Sequence, residues 1–129
     1  MDNNLYFISM DGRAGFKIGD FPVREDIPLP VYVANGEKLS LEKITPENII
    51  GGMIKILIED MENDHIDYYR QFIYTVQPDI NTRLTAGAYE AEKSHNFKDA
   101  LDIFRVLYAL SPNLLENILN LAVCYDEYS

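Results

Sequence analysis

The side chains most able to do chemistry lie in one acidic run, "EDMENDH". Asp60, Glu62 and Asp64 alternate along it, as the first three ligands of a calcium-binding loop do. Such a loop continues with a glycine and ends in a glutamate at its twelfth position, but His65 and Gln71 stand at those places. We therefore interpret the run as a solvated loop between two helices.

Other reactive groups are isolated in the sequence. His65 and His95 lie in predicted loops, and neither is near a serine or cysteine nucleophile in the chain. The single cysteine, Cys124, follows an apolar run and precedes acidic residues, which favours a buried thiol over a nucleophile. "DGRAGFKIG" lacks the Lys-Ser/Thr pair of a P-loop and the spacing of a dinucleotide-binding turn. No catalytic, cofactor or metal site is predicted.

Composition narrows the class of protein. Of 129 residues, 47% are apolar, so the chain can bury a core. Eleven basic and 21 acidic residues give a net charge of −10, which disfavours nucleic acid as a ligand. The N-terminus does not resemble a signal peptide, and no apolar run is long enough to span a membrane. With one cysteine and no intrachain disulfide, we expect a cytoplasmic protein.

The first 44 residues predict a small antiparallel sheet of two hairpins. In the first hairpin, "LYFIS" and "GFKIG" flank a turn at Asp11-Gly12. In the second, "VYVANGEKLSL" has apolar residues alternating on both sides of Asn35-Gly36, a pair that favours a type I′ turn. Between them, "DFPVREDIPLP" contains three prolines without a backbone N–H, so we predict an extended connector outside the ladders.

A helical period follows Thr45-Pro46-Glu47, which combines a capping residue, a proline suited to the first turn and a favourable acidic residue. Apolar residues then share one helical face: Ile50, Met53, Ile54, Leu57 and Ile58. The Gly51-Gly52 pair weakens this helix but permits close approach of another backbone. Four more helices are predicted over "IDYYRQFIYTVQP", "NTRLTAGAYEAEKSH", "FKDALDIFRVLYAL" and "LLENILNLAVCYDEY", and their short loops favour antiparallel neighbours.

Similar residues recur 34 positions apart, in three pairs: Pro78 and Pro112, Leu84 and Ile118, Ala88 and Ala122. This is the length of a tetratricopeptide repeat, a helix–turn–helix unit with fixed places for small and large residues. Residues 81–114 resemble one such unit, since Ala100, Phe104 and Pro112 stand at its second-helix alanine, aromatic residue and closing proline.

The first helix of that unit departs from the family pattern of Trp, Leu, Gly and Tyr, because those places hold Leu84, Gly87, Ala88 and Ala91. Residues 115–129 resemble the first helix of a further unit more closely, with four residues in register: Ile118, Leu121, Ala122 and Tyr125. Residues 46–80 are divergent, since Ile54 and Ile66 occupy the small places and Arg70 the aromatic place.

We therefore predict a mainly α (α+β) fold in which tetratricopeptide-like antiparallel helical hairpins follow a small N-terminal antiparallel β segment. The predicted parts are a β-hairpin segment at 1–44, a divergent helical hairpin at 45–80, a repeat at 81–114, and the first helix of a further repeat or a capping helix at 115–129.

Proteins that resemble this family bind peptides or helices of a partner in a groove formed mostly by first helices. By position, the resemblance implies six partner-binding residues: Thr85, Tyr89, Glu92, Leu119, Val123 and Asp126. One branch holds a C-terminal carboxylate with a Lys, Asn and Arg clamp. Acidic residues stand in this groove instead and favour a neutral, apolar or basic partner. We expect a non-catalytic interaction or scaffold module without a cofactor.

Three alternatives stay open. A secretion-type or assembly chaperone would share the acidic composition and an apolar groove. A metal-dependent enzyme or regulatory domain would use the acidic loop at 59–67. An oligomerisation domain would use the last helix, whose apolar face lacks a covering helix. That face implies either a piece of a longer repeat protein or a homodimer through residues 115–128.

Overall fold

The computed structural model describes residues 4–33 and 41–128, and the predicted turn at Asn35-Gly36 lies outside them. Along the described residues the elements are β1 Leu5–Ile8, β2 Lys17–Ile18, β3 Phe21–Pro22, β4 Leu29–Tyr32, a 3-10 helix Leu41–Lys43, α1 Pro46–Glu59, α2 Ile66–Val76, α3 Ile80–Lys93, α4 Phe97–Leu110 and α5 Leu115–Tyr128. The prediction of a mainly helical chain with a small N-terminal antiparallel sheet is confirmed, as are the five helices.

The chain forms two compact units, Met1–Gln77 and Pro78–Ser129. The first unit contains the four strands together with α1 and α2, so the predicted β segment and the predicted divergent hairpin share one unit. The second unit contains α3, α4 and α5. Each unit has its own buried apolar residues.

The strands pair differently from the predicted hairpins. β1 pairs antiparallel with β4, and β2 pairs antiparallel with β3, so "LYFIS" does not pair with "GFKIG". The first predicted hairpin is therefore wrong. A tight connection instead joins β2 to β3 through Gly19-Asp20, where Gly19 has a φ of 58°, as the first position of a type II′ turn requires.

Two prolines of the predicted connector lie inside ladders, Pro22 in β3 and Pro30 in β4. Both ladders have two strands, so each strand keeps one edge without a partner, and a proline there removes no ladder hydrogen bond. Leu41, predicted to end a strand of the second hairpin, instead begins the 3-10 helix. The strand that contains Val31 pairs with β1 because the two segments, far apart in sequence, meet over α1.

The start of α1 is formed as predicted. The Thr45 hydroxyl accepts the backbone N–H of Asn48 at 3.2 Å, and the Asn48 side-chain oxygen accepts the N–H of Thr45 at 2.9 Å. This reciprocal capping box satisfies two backbone donors that the first turn leaves without helical partners. The buried face is rotated from the predicted one, because Ile56 is buried while Ile58 is 41% exposed.

A glycine of α1 allows β4 to cross the helix in direct backbone contact. A Cβ on Gly52 would lie 2.6 Å from the carbonyl carbon of Pro30 and 2.7 Å from the nitrogen of Val31. A Cβ on Gly51 would lie 3.6 Å from the Cβ of Tyr32, which is an ordinary contact. The predicted close approach of a neighbouring backbone is confirmed at Gly52.

Aromatic residues of α2 hold the segment between β3 and β4. The Tyr69 hydroxyl, in a side chain only 1% exposed, donates to the Pro28 carbonyl oxygen at 3.2 Å. The Tyr68 hydroxyl accepts the backbone N–H of Arg24 at 2.9 Å. Burial raises the pKa of Tyr69 above its ordinary value. The hydroxyl is therefore kept neutral as a hydrogen-bond donor.

Candidate functional site

The core of the second unit is the hairpin of α3 and α4. Residues 94–96 connect the two helices, and so short a connection requires them to run in opposite directions. Ala88 of α3 and Ala100 of α4 are completely buried in one apolar cluster, together with Phe104 and Leu107. Small side chains let two helices pack closely, so the burial predicted for Ala100 is confirmed.

The turn between α3 and α4 is closed by a backbone motif at the end of α3. The N–H of His95 donates to the carbonyl of Glu92 at 3.0 Å, and the N–H of Asn96 donates to the carbonyl of Ala91 at 2.8 Å. This Schellman arrangement places His95 at a φ of 60°, a position usually held by glycine. The Asn96 side chain then caps α4 by accepting the N–H of Asp99.

α5 is attached to α4 near both of its ends. The buried side-chain amide of Asn117 donates to the carbonyl oxygens of Leu107 at 3.0 Å and Ser111 at 3.2 Å. It thereby satisfies carbonyl groups that the last turn of α4 leaves without helical partners. Cys124 is completely buried, and its sulfur lies 3.8 Å from the Phe97 carbonyl oxygen, as predicted for an enclosed thiol.

α3 and α5 border a groove of about 440 Å³. The half-exposed ring of Tyr89 packs edge-on against Phe104, with 6.1 Å between ring centroids. The Tyr89 hydroxyl accepts a long hydrogen bond of 3.5 Å from the Asn120 side chain. An aromatic side chain with neighbouring hydrogen-bonding groups can hold a short peptide by both apolar and polar contacts. The lining residues are Asn81, Thr82, Thr85, Ala86, Tyr89, Leu114, Glu116 and Asn117.

The structure brings two of the six predicted partner-binding residues into this groove, Thr85 and Tyr89. The other four do not line it, although they lie on the same two helices: Glu92, Leu119, Val123 and Asp126. The Leu119 and Val123 side chains are 54% and 53% exposed.

Sequence reasoning missed the contribution of the start of α5. Leu114, Glu116 and Asn117 all line the groove. Glu116 stands 34 residues after Thr82, another lining residue, so the repeat spacing contained a signal for that position. Asn117 had a different signal, since it is a single amide inside an apolar stretch and buried polar groups need partners.

Beside the groove, α5 presents exposed apolar side chains, which we call the α5 apolar surface: Leu115, Ile118, Leu119, Val123 and Tyr125. Leu115 is the most exposed of them, at 65%. Leu121, which was predicted to face the missing neighbour, instead packs partly buried against the core of α3 and α4. Ala122 is exposed, whereas Ala88, its counterpart 34 residues earlier, is completely buried.

The acidic loop forms local turns. The Asn63 side chain donates to the Asp60 carboxylate at 3.3 Å and accepts the backbone N–H of His65 at 2.9 Å. Glu62 and Asp64 are exposed. Over residues 4–33 and 41–128, no three His, Cys, Asp or Glu side chains are grouped so that they could hold a metal ion.

No helix in the described part of the chain is both long enough and apolar enough to cross a membrane. Comparisons of the chain with protein-family models, with curated proteins and with solved structures find no match. A function must therefore be argued from the groove and from the surfaces of the two units.

Proposed function

We propose that the second unit is a non-catalytic interaction module that binds a peptide or helix of a partner protein in the groove between α3 and α5. The observation that carries this proposal is the setting of Tyr89. Its ring is half exposed, while Phe104 packs against it and Asn120 bonds its hydroxyl. Tyrosine anchors interfaces because a large, nearly rigid ring loses little conformational entropy when a partner covers it.

We further propose that α3, α4 and α5 have a tetratricopeptide-like arrangement. The support is the completely buried pair of small residues, Ala88 and Ala100, in the packed hairpin. Phe104, at the place of the family's aromatic residue, is 1% exposed. The groove also lies between α3 and α5, the two helices that would be first helices of successive units.

The partner we propose is neutral, apolar or basic. Glu116 is the one charged residue among those that line the groove, and α5 contains no lysine or arginine. A basic side chain in the partner would meet the Glu116 carboxylate, whereas an acidic segment would be repelled. A secretion-type or assembly chaperone that holds such a segment of its client fits the same surface.

The test is binding of immobilised 12-residue peptides in three sets: apolar-basic, apolar-neutral and apolar-acidic. We expect the first two sets to bind and the acidic set to fail. Tyr89→Ala should weaken binding about tenfold or more, since aromatic anchors contribute more than about 1 kcal/mol. Phe7→Ala is the matched control, because it removes a similarly exposed ring from the other unit.

A charge reversal sharpens the test. Glu116→Lys should move the preference towards acidic peptides without unfolding the chain, because Glu116 is exposed. If every set binds equally, or if Tyr89→Ala and Phe7→Ala weaken binding to the same extent, the groove is not the binding site.

A second proposal rests on the α5 apolar surface, which a second copy of the chain would cover through residues 115–128. Exposed apolar groups of this number on one helix favour association. Light scattering should then show a dimer that Leu115→Glu converts to a monomer, since this side chain is 65% exposed and not needed for packing. Leu121→Glu is the wrong variant, because it would also damage the core. A monomer at high concentration excludes the dimer and leaves the groove proposal intact.

A further inference from the structure

The first unit contains a cavity of about 320 Å³ between β1, the loop that follows it and the start of α1. Buried Met10, Leu29 and Ile49 contribute to its mainly apolar lining. Phe16 also lines it and is 54% exposed, so part of this apolar lining meets solvent. A cavity of this size is at the lower end of the range for small-molecule sites.

Two cationic side chains, Arg13 and Lys17, also line the cavity, and none of the other lining residues is acidic. Among the described residues, none forms an ion pair or side-chain hydrogen bond with either of them. The Glu25 carboxylate accepts the backbone N–H of Gly12 at 3.1 Å, close in sequence to Arg13. In a chain with 21 acidic and 11 basic residues, the cavity is thus a place of positive potential.

The backbone that carries these cations is held in place by hydrogen bonds. The N–H of Arg13 donates to the carbonyl of Met10 at 3.0 Å, and the N–H of Phe16 donates to the carbonyl of Arg13 at 3.0 Å. The carbonyl of Phe16 in turn accepts the N–H of Val23 at 2.8 Å. The start of α1, also in the cavity wall, adds the positive end of a helix dipole.

We infer that this cavity binds a small organic anion with an apolar body, of the class of a medium-chain monocarboxylate. The carboxylate would accept hydrogen bonds from the guanidinium of Arg13 and the ammonium of Lys17. The aliphatic chain would cover the exposed Phe16 ring and displace water from the apolar lining. A neutral hydrophobe would leave both cations without an anion, and an inorganic anion would leave the apolar lining wet. The site lies in the other unit and does not depend on the proposed groove.

The experiment titrates the full chain with three probes: octanoate, its neutral counterpart octanamide, and inorganic phosphate. Binding is followed by the backbone amide signals of Ile8, Ile18 and Ile49, which line the cavity, in two-dimensional NMR spectra. We expect octanoate to shift these signals and to bind about tenfold more tightly than either other probe, because only octanoate uses both the cations and the apolar lining.

Variants then separate the two contributions. Arg13→Gln with Lys17→Gln should weaken octanoate binding about tenfold and leave octanamide unchanged. Arg24→Gln with Arg83→Gln is the matched control, since it removes two exposed positive charges elsewhere and should change nothing. Phe16→Ala should weaken octanoate but not phosphate. Because all five side chains are exposed, the amide spectrum of each variant should retain the pattern of the folded chain.

Three results would overturn the inference. Octanoate could fail to shift the cavity amides, octanamide or phosphate could bind as tightly as octanoate, or the two double variants could weaken octanoate equally. The last result would show a general effect of net charge. None of these outcomes bears on Tyr89 or on peptide binding.

Discussion

The two units solve the same packing problem with different residues. In the first unit α1 packs mainly on strand β4, and the closest approach is at Gly52, where a strand backbone touches the helix. In the second unit α3 packs on α4, and the closest packing is at Ala88 and Ala100. A strand backbone in direct contact tolerates no Cβ, whereas two helices that meet through side chains tolerate a methyl group. The size of the smallest residue therefore reflects what approaches the helix.

This difference explains why residues 46–80 match the repeat pattern poorly. Ile54 and Ile66 stand 34 residues before Ala88 and Ala100. They need not be small, because α1 makes its closest contact with β4 at another position, Gly52. Ile66 is instead a large buried residue of the first unit.

The largest expected effect compares equivalent positions of α3 and α5. Ala88→Glu would bury a charge in a fully enclosed place and should destabilise the second unit by about 4 kcal/mol or more. Ala122→Glu, 34 residues later and exposed, should change stability by less than about 0.5 kcal/mol. Urea unfolding followed by amide signals of each unit measures both. Equal losses would mean that α5 is covered in solution as α3 is.

The next effect tests the first unit in the same way. Gly52→Ala would place a Cβ 2.6 Å from the Pro30 backbone and should cost about 3 kcal/mol, because the strand must move. Gly51→Ala has room for its Cβ and should stabilise α1 by up to about 1 kcal/mol through higher helix propensity. The same urea experiment reports both changes in the signals of the first unit. If both variants were stabilised, the contact between β4 and α1 would be looser than described.

Local features of the sequence predicted local structure. The period of apolar residues located all five helices, and Thr45-Pro46 located the start of α1. The pairing of β1 with β4 could not be predicted in this way, because Leu5 and Tyr32 are brought together by the shared contact with α1 and not by a turn signal. The groove was predicted in part, since Thr85 and Tyr89 follow from repeat positions, while the cavity beside Arg13 depends on three segments that meet only in the fold.

A smaller effect concerns the hydrogen bond that ties α2 to the β segment, which has no counterpart in the second unit. Tyr69→Phe leaves the Pro28 carbonyl without this donor and should cost about 1–2 kcal/mol near neutral pH. Because the folded-state pKa of Tyr69 is raised above 10.0, its contribution is complete below that pH and is lost as pH rises through the folded pKa. The unchanged chain should therefore lose more stability between about pH 9 and pH 11 than Tyr69→Phe does. Parallel losses in urea unfolding would show that other groups dominate.

The smallest expected effect is a gain, at the turn of the α3–α4 hairpin. His95 adopts a φ of 60°, which costs a residue with a Cβ about 1 kcal/mol relative to glycine. His95→Gly should therefore stabilise the second unit by about 1 kcal/mol and leave the first unit unchanged, because the backbone bonds to Ala91 and Glu92 are kept. His95→Ala is the control, since alanine retains the Cβ and gains nothing. A gain with alanine as large as with glycine would assign the effect to loss of the imidazole and not to backbone strain, and the hairpin would then owe nothing to this left-handed position.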